Sequence, residues 1–232
     1  MHESAQTKVV ELIQTGRHNQ ALEVLEAHLQ REPNDWYAFY MSGVANRFLG
    51  NHDEAVSLLK QAVALSPNRG SVFLALGIAQ QVGGNLEEAV ASLTRAKELK
   101  PELIEAYNSL GLTFKKMRRY KEALESYERG SEKLRELVSL EVHKDAALCY
   151  RDEVIDGETV RTVLPYVLLK SLELLKSNPV YAILRNNAGV CLAELGDAEG
   201  ARDLYKEAID CTPEGYHYPD PFTNLERLAN SR

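Results

Sequence analysis

Apolar positions recur along this chain at the three- and four-residue spacing of amphipathic helices, in short blocks punctuated by glycine and proline. In 70–82 the recurring residues include Phe73, Leu76, Ala79 and Val82, and beyond Gly84 they are Ala89, Leu93, Ala96 and Leu99. Each series predicts a helix with one buried stripe. Gly84 suits a helix end that needs positive φ. Asn85 suits the N-cap of the next helix, and Glu87 and Glu88 favour its positive N-terminal end. Gly77 permits close approach of a neighbouring helix, and Pro101 stops the second helix.

The blocks repeat. GNHDEAVSLLKQAVALSPN at 50–68 is nearly rewritten as GNLEEAVASLTRAKELKPE at 84–102. Gly16, Gly50 and Gly84 stand 34 residues apart, as do Gly43, Gly77 and Gly111. Ala21, Ala55, Ala89 and Ala123 keep the step, and so do Pro33, Pro67 and Pro101. Gly189, Gly196, Ala201 and Pro213 restore it later, with Pro179 one period before Pro213. This period belongs to arrays of helix–turn–helix units, none of which buries its apolar face without a neighbour.

On the elements Phe73-Leu74-Ala75-Leu76-Gly77 and Tyr107-Asn108-Ser109-Leu110-Gly111, with the alanine and proline columns downstream, the chain resembles the tetratricopeptide-repeat family. The resemblance implies an all-α fold, a right-handed α-solenoid of antiparallel helix pairs. The units are 2–35, 36–69, 70–103, 104–137 and 182–215 of a single domain, 1–232. Several letters depart from the pattern: Val9 replaces a glycine, Arg118 the turn glycine, Gly130 an alanine and Arg135 the proline.

Residues 138–181 are an irregular insertion or a degenerate repeat. Without a proline at 135, the helix from near Lys121 is expected to continue to about Tyr150. The apolar run Tyr166–Leu175 predicts the second helix of the degenerate unit. Between them lies RDEVIDGETVRTV, rich in β-branched residues around Asp156-Gly157. That pair suits a tight hairpin turn; a solvated loop between two helices is the plainer reading. At the end, Asp220 and Pro221 form a cap and first-turn pair. A helix over 221–230, within the segment 216–232, would cap the last unit's apolar face.

Composition narrows the function. With 34 acidic residues against 27 lysines and arginines, net charge −7, a general nucleic-acid binder is disfavoured. The N-terminus lacks the pattern of a secretory signal, and apolar runs such as Val72–Ala79 are far below the ~20 residues of a spanning helix. Cys149, Cys191 and Cys211 are scattered and odd in number, as expected of thiols in a reducing cytoplasm. The six histidines have no metal-ligand spacing, and the acidic loop 152–158 lacks the alternating ligands of a calcium loop. Phosphate-cradling and nucleophile-elbow motifs are missing as well. These readings predict no enzyme, cofactor or metal.

The resemblance further implies a concave groove lined by the first helix of each unit. Its positions are Gln6 and Val10; Tyr37, Tyr40, Val44 and Arg47; Leu74, Ile78 and Gln81; and Glu105, Asn108, Leu112, Lys115 and Lys116. In the fifth unit they are Ile183, Asn186, Asn187 and Val190. Apolar side chains there suit an extended peptide or a partner helix, with Asn108, Asn186 and Asn187 bonding its backbone; packing between adjacent helices is the alternative use. A clamp for a C-terminal carboxylate is not available, because its positions hold residues such as Val10, Met41, Ala75 and Glu105. A second candidate surface is KKMRRYK at 115–121, where Lys115, Lys116, Arg118, Arg119 and Lys121 would attract an acidic partner or pair with nearby glutamates. The function expected is a scaffold or adaptor that binds a protein or peptide, without nucleic acid or membrane insertion. A structural subunit docking through 138–181, or stacking edge to edge on copies of itself, is the competing expectation.

Overall fold

The computed structural model describes residues 1, 3–142, 150–155, 158–163 and 165–230. They pack as two compact units, Met1–Arg118 and Arg119–Arg232, a division that the run of repeats does not mark.

The first unit holds seven helices: α1 (Glu3–Gln14), α2 (His18–Leu29), α3 (Trp36–Phe48), α4 (His52–Leu65), α5 (Gly70–Val82), α6 (Leu86–Leu99) and α7 (Ile104–Lys116). Consecutive helices pack as pairs, and α5 also touches α3 and α7, so the first helices form one layer. What sets the pair spacing is a missing side chain. A Cβ at Gly43 would stand 2.5 Å from Leu59 Cγ, and one at Gly77 would stand 2.5 Å from Leu93 Cγ. Each leucine follows its glycine by sixteen residues, and both are fully buried. In the first pair Val9 occupies the glycine position and packs with Leu25 in a core cluster that also holds Ala38 and Met41.

The turn glycines Gly16, Gly50, Gly84 and Gly196 have φ between +75° and +89°. Arg118, which replaces the next of them, keeps the geometry with φ of 59° despite its side chain. A left-handed conformation costs a non-glycine residue roughly 1–2 kcal/mol. Asn85 stands at the N-cap of α6 as expected but makes no capping bond with its side chain. Glu88, in the first turn of that helix, instead receives Lys60 and Gln80.

The second unit begins with α8, described over Tyr120–Val142; of its expected course to about Tyr150, residues 143–149 lie outside the described residues. Tyr150 opens a β-hairpin, β1 (Tyr150–Ile155) and β2 (Glu158–Val163). Six residue pairs form its antiparallel ladder, from Tyr150 opposite Val163 to Ile155 opposite Glu158. The β-branched residues of the segment favour the ladder. The hairpin thus replaces the solvated loop; Asp156 and Gly157 themselves lie outside the described residues. Then come α9 (Pro165–Lys176), α10 (Pro179–Glu194), α11 (Ala198–Asp210) and α12 (Asp220–Asn230).

Helix α10 packs on α8 and α11, with α9 resting on α8 and α12 on α11. The glycine contact recurs, since a Cβ at Gly189 would lie 2.7 Å from Tyr205 Cε1. Arg135, standing where earlier units carry proline, lets α8 continue and donates Nε–H to the Tyr181 hydroxyl at 2.9 Å. Tyr181 in turn donates to Glu207, which also pairs with Arg185 at 2.7 Å. The core of this unit holds Tyr127 and Tyr205; the Tyr127 ring is fully buried and its hydroxyl has no partner among the described residues.

The close glycine contact can be tested by adding one methyl group. Gly77→Ala gains about 1 kcal/mol of helix propensity but meets Leu93, including its backbone nitrogen at 3.2 Å. Overpacking of this kind costs about 1–3 kcal/mol, so denaturant unfolding is expected to show a net loss of about 1 kcal/mol. Asp35 caps α3, accepting from the Tyr37 and Ala38 amides and from the Met1 ammonium, with His28 Nε2 2.7 Å away. Burial pushes its carboxyl up, but these hydrogen bonds outweigh it and hold the pKa at about 2. Asp35→Ala should therefore cost about 1 kcal/mol above about pH 4. Because the folded pKa is depressed, the gap between parent and variant should close as pH falls from about 4 through about 2.

Candidate functional site

The layer of first helices in unit one carries the candidate groove. Val44 on α3, Ile78 on α5 and Leu112 on α7 stand one repeat apart, and all three are half-buried. Val10 occupies the same register on α1 and is half-buried too. A fixed period thus lays an aliphatic column across successive helices, partly open to solvent. Leu74, also half-buried, follows Tyr40 by one period.

Beside this column an aromatic cluster gathers at the start of α3. The rings of Trp36 and Tyr37 meet edge to face at 5.6 Å, and Tyr37 and Tyr40 lie 6.1 Å apart. The Arg69 guanidinium sits 3.9 Å above the Trp36 ring, a cation–π contact. Tyr40 packs against the core clusters on both sides of α3, so much of its ring serves the fold. Burial raises its pKa, against a lowering by Arg47. Arg47 lies half-buried with its guanidinium 4.1 Å over Phe48.

The polar groove positions are largely occupied by the protein itself. Gln81 is buried, and its amide donates to the Ser109 carbonyl at 3.0 Å and to Thr113 Oγ1 at 2.7 Å. It ties α5 to α7 instead of facing a ligand. Asn108 is half-buried on α7. In the second unit Asn187 is half-buried, whereas Asn186 is only 2% exposed and accepts from Asn224 Nδ2 of α12 at 2.9 Å. Asn186, a groove position by its register, thus also holds the terminal helix in place.

Sequence comparison agrees with this architecture. Tetratricopeptide-repeat family models match residues 7–70 and 171–216, 49–111, and 104–132. The chain belongs to the tetratricopeptide-repeat family. Solved tetratricopeptide structures share its fold. MamA from Desulfovibrio magneticus RS-1 superposes with a TM-score of 0.61 at 16% identity, over 100% of this chain and 99% of its own. YrrB, described as a TPR protein with an unusual peptide-binding site, gives 0.61 at 18% identity, over 96% and 88%. TTC0263, a thermophilic TPR protein of Thermus thermophilus, gives 0.57 at 18%, over 99% and 96%. No curated protein matches the chain in sequence. The fold is thus the tetratricopeptide α-solenoid of antiparallel helix pairs, interrupted by one hairpin, and tetratricopeptide folds serve in general as non-catalytic scaffolds for protein interaction.

The basic turn of this tetratricopeptide chain falls at the division between its units. In the first, Lys115 is half-buried and Lys116 exposed, with Lys116 Nζ 3.4 Å from the Gln81 carbonyl; Arg118 is exposed. In the second, Arg119 pairs with Glu122 at 2.7 Å, and Lys121 is exposed. Hydrogen bonding by Arg119 lowers the Glu122 pKa. Part of the positive charge is therefore already answered within the chain. Among the described residues, no helix is long and apolar enough to cross a membrane, and no group of three or more potential ligands could hold a metal ion.

Helix α12 covers the last repeat through the fully buried Pro221 and the Asn224–Asn186 bond. Deleting 216–232 should lower the melting temperature and the solubility. Asn224→Ala should remove about 1 kcal/mol by leaving the buried Asn186 oxygen without its donor. Thermal melts of the two variants against the parent check both.

Proposed function

We propose that this chain is a non-catalytic scaffold or adaptor that holds an extended peptide or helix of a partner protein against the first helices of unit one. The observation that carries the reading is the aliphatic column Val44, Ile78 and Leu112, half-buried at one register on three successive helices. A soluble solenoid needs apolar residues between its layers, but a continuous line of them partly open to water fits a ligand-facing strip. Leu74 widens that strip, Tyr37 and Tyr40 bound it with aromatic edges, and Arg47 and Asn108 supply polar groups near its margin. The frame is rigid, because Gln81 bridges α5 and α7, so little conformational entropy is lost on binding. The setting is cytoplasmic, where the buried thiols of Cys191 and Cys211 stay reduced. Burial raises the Cys211 pKa and keeps that thiol unreactive.

The alternative, a structural subunit docking through 138–181, draws support from the hairpin. A lone two-stranded ribbon is marginally stable in water, and a partner strand on either edge would stabilise it. The same segment would then serve assembly, with the groove unused.

The two readings separate in one experiment. The parent is used to capture partners from lysate of the native host, beside Leu74→Gln/Ile78→Gln/Leu112→Gln and a variant with 150–163 replaced by a Gly-Ser linker. Tyr40 is spared because it also packs the core. Circular dichroism and melting confirm that each variant is folded. A partner lost only with the triple variant is the expected result. Loss only with the linker variant would transfer binding to the hairpin and end the groove reading.

A further inference from the structure

Unit one also contains a cleft of about 540 Å³ between α2 and α4, floored by α3. It lies among the second helices, away from the column of first-helix residues. Its walls combine three leucines, Leu22, Leu29 and Leu58, with two carboxylates, Glu26 and Glu54. Neither carboxylate has a hydrogen-bond or ionic partner among the described residues. On the floor Ser42 is only 5% exposed, and its hydroxyl likewise has no partner among the described residues.

The next repeat explains why this is unusual. One period on, Glu26 becomes Lys60, Glu54 becomes Glu88, Asn46 becomes Gln80 and Leu58 becomes Ser92. There every polar group is answered inside the chain. Lys60 Nζ donates to Glu88 at 3.2 Å, Gln80 donates to the same oxygen at 2.9 Å, and Ser92 donates to Gln80 at 2.7 Å. A cation on an aliphatic stem thus spans the helices α4 and α6. Between α2 and α4 that cation is replaced by a second acid, and the walls there carry Leu22, Leu29 and Leu58 where the next repeat has Val56, Val63 and Ser92.

We propose that the α2–α4 cleft receives an arginine side chain from a basic segment of a partner protein. The stem lies along Leu22, Leu29 and Leu58, as long cationic side chains do on apolar walls. The guanidinium meets Glu26 and Glu54, and its fixed array of donors reaches the Ser42 hydroxyl as well. Two acids and a hydroxyl suit a planar fork better than a single ammonium. The site is independent of the groove, so this chain has a charged contact on one layer and an apolar contact on the other.

The test uses the isotopically labelled full chain and a blocked peptide of alternating alanine and arginine, with the citrulline peptide as neutral control. Amide shifts are expected in 22–30, 42–46 and 54–58, with affinity falling as salt rises. Glu26→Gln/Glu54→Gln should weaken binding about tenfold, and Ser42→Ala about threefold. Leu74→Gln/Ile78→Gln/Leu112→Gln should leave it unchanged. Glu26→Lys rebuilds the arrangement of the next repeat; it should abolish binding while melting no lower than the parent. Equal shifts with the citrulline peptide, shifts confined to other segments, or unchanged affinity in the double glutamine variant would overturn the proposal. So would a concentration-dependent dimer of the parent that is lost in that variant, because a second copy would then fill the cleft.

Discussion

The fold depends on how closely two helices of a pair can approach, and that distance is set where a side chain is absent. Gly43 against Leu59, Gly77 against Leu93 and Gly189 against Tyr205 are the same contact made three times, each sixteen residues apart. A Cβ at any of them would overlap the partner side chain, and at Gly77 it would also crowd the partner's backbone. With the pair spacing fixed, the alanine column can bury completely, as Ala21, Ala55, Ala89, Ala123 and Ala201 all do. The second helix is thereby placed to stack on the following unit.

That constraint has a consequence for both candidate surfaces. Identical spacing in successive units carries each register position to the same place on the next helix. A column of residues one period apart therefore becomes a physical strip, and Val44, Ile78 and Leu112 form one. The same regularity makes departures visible. Lys60 and Glu88 show how one cleft between second helices is closed, so Glu26 in the equivalent place leaves its neighbour open and acidic. Repetition supplies the reference against which a single changed letter acquires meaning.

The helices and their pairing were legible in the sequence because they follow from local letters: periodic apolar residues, turn glycines and capping residues. Less legible were choices made by tertiary partners. Arg118 keeps a left-handed turn without glycine, so the geometry outlives its usual residue. Arg135 is recognisable as a missing proline, but its bond to Tyr181 joins residues far apart in the chain. Gln81 and Asn186 occupy groove registers by number, yet their amides are consumed by Thr113 and Asn224. No pattern of spacing reveals which amide already has a partner. The hairpin was legible in its β-branched letters, although the plainer reading was a loop.

The buried phenols of the second unit have an optical consequence. Burial lifts the Tyr205 pKa to about 12, with Cys191 and Glu194 adding to the rise, and it lifts those of Tyr127 and Tyr218 further. A phenol held in this way resists ionisation in mild alkali and loses its proton more readily once the surrounding helices separate. The part of the alkaline phenolate absorbance that appears only when the fold opens thus includes the signal of this core, with Tyr127 as its most deeply buried contributor.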